Sequence, residues 1–318
     1  MNLKKKPEIM VSVIVCTYMR ERYIRQSLDA ILAQRTTYPF EVIVGENHGT
    51  DNTLQILREY EAKYSNIKVL AHKENIGPHA NWDSCFRVAT GKYIMDCCDD
   101  DWWHNPNKIQ LQVDFMEQHP ECVMCHTDYD VYNEKTGKTI QAHNSSAGRV
   151  ILEGMVQKEM FSGKIPVGFL TDCYRREVYV QHIPLDRYME IGIVGGDFAN
   201  WVILSAYGEI RYLPISTATY REGNSSETRA IDYDRVIYRR EADKRMFHML
   251  YEVCPQLGTY NEDEYFNDYY SHQLLMAAYR NNDYAAAKKY AKEDKMPNWR
   301  TRMARTWLTF QIARMLKR

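Results

Sequence analysis

Three consecutive carboxylates, Asp99, Asp100 and Asp101, follow a short apolar run and precede two tryptophans in GKYIMDCCDDDWWHNP, residues 91–106. Like charges side by side repel each other, and the repulsion raises the pKa of at least one of them unless a positive charge lies nearby. Carboxylate oxygens are preferred ligands of Mg2+ and Mn2+, and such ions commonly bridge a protein to substrate phosphates. The triplet therefore either binds a divalent cation or caps the turn and helix that follow it.

A further acidic residue, Asp197, stands in the sequence GGDFANW at the predicted start of a helix. An aspartate at this place is an ordinary helix N-cap. It is also a residue type that takes a proton from a hydroxyl group in catalysis. Both roles are open at this point.

The elements that position these residues follow from hydrophobic periodicity. Short apolar runs predict four buried strands, and apolar residues at helical spacing predict a helix after each of the first three. The predicted strands are residues 11–15, 40–44, 66–70 and 92–97. This alternation is typical of an α/β protein with a Rossmann-like, mainly parallel sheet flanked by helices.

Polar residues follow three of these strands. Because ligands bind at the carboxyl ends of parallel strands, we expect the residues after the first, second and fourth strands on one rim of the sheet. They are Thr17, Tyr18, Glu46, Asn47, Asp99, Asp100 and Asp101. The triplet is thus expected at the edge of a binding site.

Beyond the triplet the chain again alternates predicted helices and strands, and its last part is predicted to be helical. The patterns predict a helix at about 107–118, a strand at 122–127 and a hairpin turn at 135–137. An irregular segment at 142–170 and a helix followed by a strand at 195–213 come next. From about residue 232 onward the pattern is helical. The predicted division is a domain at 1–230, with a nucleotide-binding half at about 9–101 and an acceptor half at 102–230, followed by a helical region at 231–318.

Composition is that of a soluble globular protein. Lys and Arg number 41 and Asp and Glu 42, and the net charge of -1 argues against binding nucleic acid through its phosphates. The N-terminal apolar stretch is interrupted at Arg20, Glu21 and Arg22, which predicts a cytoplasmic protein without a signal peptide. Eight cysteines without regular spacing predict reduced, buried thiols, and the pair Cys122 and Cys125 lies in a predicted strand, which disfavours a zinc or redox site.

Three segments, in this order, resemble glycosyltransferase family 2: VSVIVCTYMRERYIRQSLDAIL, EVIVGENHGTDNT and NIGPHANWDSCFRVATGKYIMDCCDDDWWHNPNKIQLQVDFMEQHPE. The resemblance covers about residues 9–225. It implies the GT-A fold and a nucleotide-sugar donor. It also implies an inverting reaction assisted by a divalent cation, Mn or Mg.

The resemblance assigns donor-binding roles to residues on the predicted rim. Thr17 and Tyr18 match the turn that lines the nucleoside pocket, with Glu21 nearby. Glu46 and Asn47 match a pair of acids, the second of which accepts a hydrogen bond from uracil. An amide oxygen can accept the same bond.

The resemblance also distinguishes the three aspartates. The family's metal motif places its first acid at Cys98 and its later acids at Asp100 and Asp101. Asp100 is therefore expected to be the main metal ligand. Asp99 is expected to replace the missing acid, as a second metal ligand or a contact to the ribose, and Asp101 to position the sugar or cap the turn.

The remaining assignments concern catalysis and the acceptor. The resemblance makes Asp197 the catalytic base. Arg221, in ATYREGNSS, precedes a segment expected to fold over the donor, and its guanidinium would hold the diphosphate. Gly223 or Asn224 stands where the family often has a histidine. Trp103 is expected to line the acceptor site.

The C-terminal residues 298–318 contain arginine and lysine but no acidic residue, mixed with apolar residues such as Trp307 and Leu308. This composition is typical of a helix that lies on a membrane surface near lipid-linked acceptors. A terminal helix packed on its own domain has the same features.

We expect a metal-dependent, inverting glycosyltransferase that moves a sugar from a nucleoside diphosphate donor, UDP-linked, to a hydroxyl of a glycan or lipid-linked acceptor. It would act in surface polysaccharide biosynthesis at the inner face of the cell membrane. Two alternatives are a sugar-nucleotide nucleotidylyltransferase and a non-catalytic nucleotide-sugar-binding or scaffold protein. The first is disfavoured because CTYMRERY lacks glycine, whereas Cys98 and Asn47 at usually acidic positions would suit the second.

Overall fold

The computed structural model describes residues 8–223, 233–259, 262–293 and 299–315. The chain divides into two units, one of residues 1–189 and 196–224 and another of residues 190–195 and 225–318. The predicted segment over the donor lies mostly at 224–232, outside the described residues.

Within the described residues of the first unit, eight strands form one sheet in the order β3-β2-β1-β4-β7-β5-β6, with β8 also paired to β5. They are β1 (Val11–Thr17), β2 (Phe40–Glu46), β3 (Ile67–Ala71), β4 (Tyr93–Cys98), β5 (Cys122–Asn133), β6 (Lys138–Ile140), β7 (Asp172–Arg175) and β8 (Glu209–Glu222). β1 to β4 are mutually parallel, and β7 lies antiparallel between β4 and β5. This confirms the α/β class.

Helices cover the sheet because their apolar residues repeat at helical spacing. They are α1 (Ile24–Leu32), α2 (Thr53–Lys63), α3 (Pro78–Val88), α4 (Lys108–Gln118), α5 (His143–Ser146), α6 (Gln157–Phe161), α7 (Arg176–His182), α8 (Leu185–Ile191) and α9 (Gly196–Leu204). In α1, for example, Ile24, Leu28 and Ile31 are fully buried. They join the apolar cluster that contains the inward-facing valines of β1 and β2.

The second unit is helical where it is described. Its helices are α10 (Tyr233–Val253), α11 (Glu262–Arg280), α12 (Tyr284–Glu293), α13 (Trp299–Met303) and α14 (Trp307–Met315). Leu275, Tyr279, Ala287 and Phe310 form the centre of its apolar cluster. Among the helices that the structure describes, none has the length and apolar character needed to cross a membrane.

β1 and β4 approach each other closely at the edge opposite the predicted rim. A Cβ atom added to Gly91, just before β4, would lie 2.5 Å from the backbone nitrogen of Ser12 and 2.7 Å from the carbonyl carbon of Val11. Only glycine fits this place without moving main chain. The contact sets how far β4 reaches at its other end, where the triplet begins.

Residues 142–170, predicted to be an irregular segment, contain the helices α5 and α6. Helix α2 begins at Thr53 with Asn52 at the N-cap position, and the Asp51 carboxylate accepts hydrogen bonds from the backbone nitrogens of Thr53 and Glu21. Asp197 is the second residue of α9, within its first turn.

Candidate active site

The predicted rim forms at the carboxyl ends of β1, β2 and β4. Thr17 of β1 lies beside Glu46 of β2, and Cys16 lies beside Cys98 of β4. The backbone nitrogen of Tyr18 points to the Asp99 carboxylate at 3.4 Å. The residues after three separate strands therefore meet at one edge, as the strand pattern predicted.

The three aspartates have different surroundings. Asp101 is 1% exposed, and its Oδ1 accepts a hydrogen bond of 2.7 Å from the backbone nitrogen of Arg221, while its buried Oδ2 has no partner. The other two reach solvent in part, since 13% of the Asp99 side chain and 29% of the Asp100 side chain are exposed. Burial raises the pKa of Asp99 to about 7 and that of Asp101 to about 8, and the charge of Asp100 adds to both shifts. Ionisation of all three carboxyl groups at once is therefore unfavourable.

Arg20, which the sequence predictions missed, supplies a positive charge to this cluster. Its Nε lies 3.4 Å from Asp99 Oδ1 and 3.9 Å from Asp100 Oδ2. One cationic nitrogen therefore lies within reach of both carboxylates. The only signal in the sequence was a basic residue in the turn after β1.

The two partly exposed carboxylates fit a divalent cation. Mg2+ is usually held by one or two carboxylates together with substrate phosphates, so a site built mainly from protein ligands is not required. Within the described residues no group of three or more His, Cys, Asp or Glu side chains converges on one metal position. One oxygen of Asp99 and one of Asp100 nevertheless lie within 4 Å of the same cationic nitrogen, Arg20 Nε, so the two carboxylates are close enough to share one cation.

β8 holds the triplet in place. Trp102 and Thr219 exchange two backbone hydrogen bonds, of 2.8 and 3.3 Å. Arg221 Nε donates to the carbonyl oxygen of Asp100 at 2.8 Å, and its Nη2 donates to Gln26 Oε1 at 2.6 Å. The Arg221 guanidinium also lies 4.9 Å from the rings of Tyr23 and Trp102. Nε and Nη2 of Arg221 thus hold it against the aspartate loop, while its Nη1 lies 3.9 Å from Glu134 Oε1.

The two tryptophans after the triplet have different environments. Trp103, predicted at the acceptor site, is 2% exposed and belongs to the apolar core, where its Nε1 donates to the carbonyl oxygen of Leu170. Trp102 is half-buried and packs beside Arg221. Of the two tryptophans, Trp102 is therefore the one beside the candidate site, because alternate residues in an extended segment point to opposite sides.

Three predicted donor contacts are engaged in shaping the rim. Glu46 accepts hydrogen bonds from the backbone of His48 and Gly49. The side-chain oxygen of Asn47 accepts from the backbone nitrogen of Ile76, and its Nδ2 donates to Asn75. Glu21 accepts from Asn52. These side chains fix the loops, whereas Tyr18 is 42% exposed and Thr17 is buried next to it.

Asp197, on α9 of the first unit, lies close enough to three ionisable groups to affect their pKa values. Its charge opposes the burial that lowers the pKa of His79, and it contributes to the raised pKa values of Asp96 and Asp172. Asp96 lies on β4, three residues before Asp99, which corresponds to roughly 10 Å along a strand. Cys98 is two residues from Asp96 and therefore faces the same side of the sheet.

Asp96 and Asp172 are a buried carboxylate pair that the sequence predictions missed. β4 and β7 pair with Ile94 opposite Tyr174, and the same register places Asp96 opposite Asp172. Asp96 accepts from Trp82 Nε1 of α3 at 2.8 Å and from the Tyr174 hydroxyl at 3.1 Å. Asp172 accepts from Trp201 Nε1 of α9 at 2.9 Å. The pair therefore ties α3 and α9, the helix of Asp197, to the sheet.

Comparison with known proteins agrees with this geometry. The sequence pattern described as Glycosyl transferase family 2 matches residues 12–177, more than half of the chain. The chain belongs to glycosyltransferase family 2. The Mycobacterium tuberculosis protein Rv1520 is 30% identical to this chain over 212 residues. The match covers 66% of this chain and 58% of Rv1520, so the chain spans less than two thirds of that relative's length.

Solved structures show the fold of this chain. It is similar to residues 1–349 of S. aureus TarS, solved with UDP-GlcNAc, with a TM-score of 0.58 and 16% identity over 96% of this chain and 89% of that one. It is also similar to the mannosyltransferase PcManGT from Pyrobaculum calidifontis, solved with GDP-Man and Mn2+, with a TM-score of 0.56 and 16% identity. That match covers 99% of this chain and 90% of PcManGT. The shared fold is the GT-A fold of glycosyltransferases.

Proposed function

We propose that this protein transfers a sugar, with inversion, from a nucleoside diphosphate sugar to a hydroxyl of a glycan or lipid-linked acceptor, in surface polysaccharide biosynthesis. The proposed donor is a UDP-sugar, and the proposed metal is Mn2+ or Mg2+. The single observation that carries the proposal is that the carboxylates of Asp99 and Asp100, just after the carboxyl end of β4, share one cationic partner, Arg20 Nε.

The donor site would be the rim around Thr17, Tyr18 and the partly exposed aspartates. A divalent cation held by Asp99 and Asp100 would stabilise the negative charge on the departing diphosphate. Asp101 and Arg221 would keep the two ligands in position. The structures of TarS with UDP-GlcNAc and of PcManGT with GDP-Man and Mn2+ support a nucleotide sugar and a metal in a fold of this kind.

Asp197 would act as the general base. The acceptor hydroxyl oxygen forms a bond to the anomeric carbon on the face opposite the diphosphate, and the bond from that carbon to the diphosphate oxygen breaks. The hydroxyl proton passes to the Asp197 carboxylate, and the nucleoside diphosphate leaves with the bonding electrons. The hydrogen bonds from Trp82 and Trp201 to the buried carboxylate pair would keep α9, and with it Asp197, against the sheet.

The decisive experiment is nucleotide release from a panel of UDP-, GDP- and dTDP-sugars, with Mn2+ or Mg2+ and with EDTA. We expect release from one donor class and its loss in EDTA. Asp100→Asn and Asp197→Asn should each lower the rate by roughly a hundredfold or more, because one removes a metal ligand and the other the base.

The matched control is Asp186→Asn, whose side chain is 95% exposed on α8. It should keep full activity. Donor binding without release by the wild type would favour the non-catalytic alternative. An active Asp197→Asn variant would remove Asp197 from its role as base.

We also propose that α14 brings the enzyme to a membrane surface where lipid-linked acceptors are found. Trp307, Leu308 and Met315 on α14 are 60%, 64% and 74% exposed, whereas Phe310 and Ala313 on the other face are buried. Arg302 and Arg305 nearby are exposed. An apolar face next to arginines fits an anionic lipid surface.

A further inference from the structure

We propose that Arg20 is the counter-ion of Asp99 and Asp100 before the donor binds, and that its guanidinium moves to the donor diphosphate when a divalent cation takes its place. Arg20 would then be a donor-binding residue that delays metal binding until the donor arrives. The inference rests on the proposed function, because it concerns the same donor site.

The position of Arg20 is that of a substitute cation. Its Nε lies 3.4 Å from one carboxylate and 3.9 Å from the other. A metal ion held by both Asp99 and Asp100 would lie near the same pair of carboxylates that Arg20 Nε now contacts. A guanidinium and a divalent cation repel each other at such a distance, so they compete for this place.

The Arg20 side chain is loosely held although its backbone is anchored. The backbone nitrogen donates to Thr53 Oγ1 at 2.8 Å. In the side chain, Nε makes no hydrogen bond, and Nη1 makes two long contacts, of 3.4 and 3.3 Å, to the carbonyl oxygens of Tyr18 and Met19. Good N–H to oxygen hydrogen bonds measure about 2.9 Å. Charge attraction, more than fixed hydrogen bonds, therefore holds this guanidinium.

Arg221 provides the contrast. Its Nε and Nη2 make hydrogen bonds of 2.8 and 2.6 Å, and its side chain is only 10% exposed, compared with 25% for Arg20. Of these two arginines beside the triplet, Arg221 therefore has the shorter hydrogen bonds and Arg20 the more exposed side chain. Arginine is suited to binding the donor diphosphate because its planar guanidinium can hydrogen-bond two phosphate oxygens at once.

Competition between cations predicts how binding is coupled. Without the donor, Arg20 opposes the metal. With the donor present, the diphosphate adds negative charge that attracts both the metal and Arg20. Both cations then have a negatively charged partner at the same time. Metal and donor should therefore bind with positive coupling, and removing Arg20 should weaken that coupling.

The test is calorimetric binding of Mn2+ alone, and of UDP in the presence of Mn2+, to the full chain and to Arg20→Gln. We expect Arg20→Gln to bind Mn2+ alone about tenfold more tightly, since a competing charge is gone, and to bind UDP about tenfold more weakly. Arg20→Lys keeps the charge without the fork, so Mn2+ binding should stay near that of the wild type while UDP binding weakens. Arg25→Gln is the control, because Arg25 is exposed on α1 and paired with Glu59.

Unchanged Mn2+ binding by Arg20→Gln in the absence of UDP would overturn the inference, and so would unchanged UDP binding. Thermal melting checks that each variant is folded. If Arg20→Gln does not fold, equal UDP binding by Arg20→Lys and the wild type overturns the inference. Failure of the wild type to bind UDP with Mn2+ is a different result, because it would overturn the proposed donor site itself and the inference with it.

Discussion

Neighbouring residues in the aspartate triplet have separate tasks in the structure. Asp101 accepts a hydrogen bond from the backbone of β8, so it holds the loop. Asp99 and Asp100 share the charge of Arg20. Two carboxylates, not three, are therefore close enough to share one cation. The repulsion within the triplet is reduced by burial-raised pKa values and by Arg20.

The raised pKa of one residue, Asp96, predicts how the unfolding free energy of the protein depends on pH. Burial raises its pKa to about 7, so the folded protein keeps a proton that the unfolded chain loses near pH 4. Because the folded state binds more protons, wild-type stability should fall as the pH rises from about 4 to about 7. Asp96→Asn has no proton to lose, and its amide can accept from Trp82 and donate to Tyr174. Over this range it should gain roughly 2–4 kcal/mol in unfolding free energy relative to the wild type.

Urea denaturation at several pH values measures this difference. The control is Asp186→Asn, whose exposed side chain should give the same difference at every pH. A constant difference for Asp96→Asn as well would mean that Asp96 is ionised throughout, against the prediction.

Strand ends, but not side-chain directions, could be predicted from the sequence. Thr17, Glu46 and Asp99 meet on one rim because parallel strands end at the same edge. Trp103 was predicted at the acceptor site, yet it packs against Leu170, 67 residues later in the chain. The side-chain contacts of Arg20 also depend on distant parts of the chain, so no local spacing could reveal them.

At the scale of elements, β4 is positioned by a contact at the end far from the site. A Cβ on Gly91 would meet the backbone of Ser12 and Val11 at 2.5 and 2.7 Å, and backbone cannot rotate away as a side chain can. We expect Gly91→Ala to lower the unfolding free energy by about 1–3 kcal/mol, measured by urea denaturation. It should also weaken UDP binding, because β4 carries the triplet at its other end.

Gly137 provides the matched control for Gly91. It has a φ of +67° in the turn between β5 and β6, and nothing lies within 4 Å of an added Cβ. Asparagine tolerates this left-handed conformation, so Gly137→Asn should change stability by less than about 1 kcal/mol. Equal effects of the two substitutions would show that close approach at Gly91 is unimportant.

The order of the strands shows which elements sequence patterns can give. β1 to β4 and their helices were predicted because each carries a clear apolar period. β7 has only four residues, and its place between β4 and β5 depends on long-range pairing. The pair Asp96 and Asp172 is formed by that insertion, so it could not be predicted from either segment alone.

At the scale of the whole molecule, the exposed apolar face of α14 predicts membrane binding. Full-length protein should co-sediment with anionic vesicles more than with neutral ones, and a chain lacking residues 298–318 should not. The double variant Trp307→Ser with Leu308→Ser should bind at least roughly tenfold more weakly, because each large apolar side chain contributes about 1.5–3 kcal/mol when it leaves water.

Val150 and Met155, which are 83% and 65% exposed in the first unit, give a control of the same kind. Replacing both with serine should leave vesicle binding unchanged. Equal binding by the full-length and shortened chains, or none by either, would count against a membrane role for α14.

The bond between Arg221 and Gln26 joins residues that are 195 positions apart in the chain. β7, at residues 172–175, must also insert before β4 and β5 belong to one sheet. During synthesis on the ribosome, β1 to β3 can pair as they emerge, but the triplet cannot be locked until β8 has left the exit tunnel. The last step of folding in the first unit would therefore be the one that completes the candidate site, and long-range steps of this kind are slow.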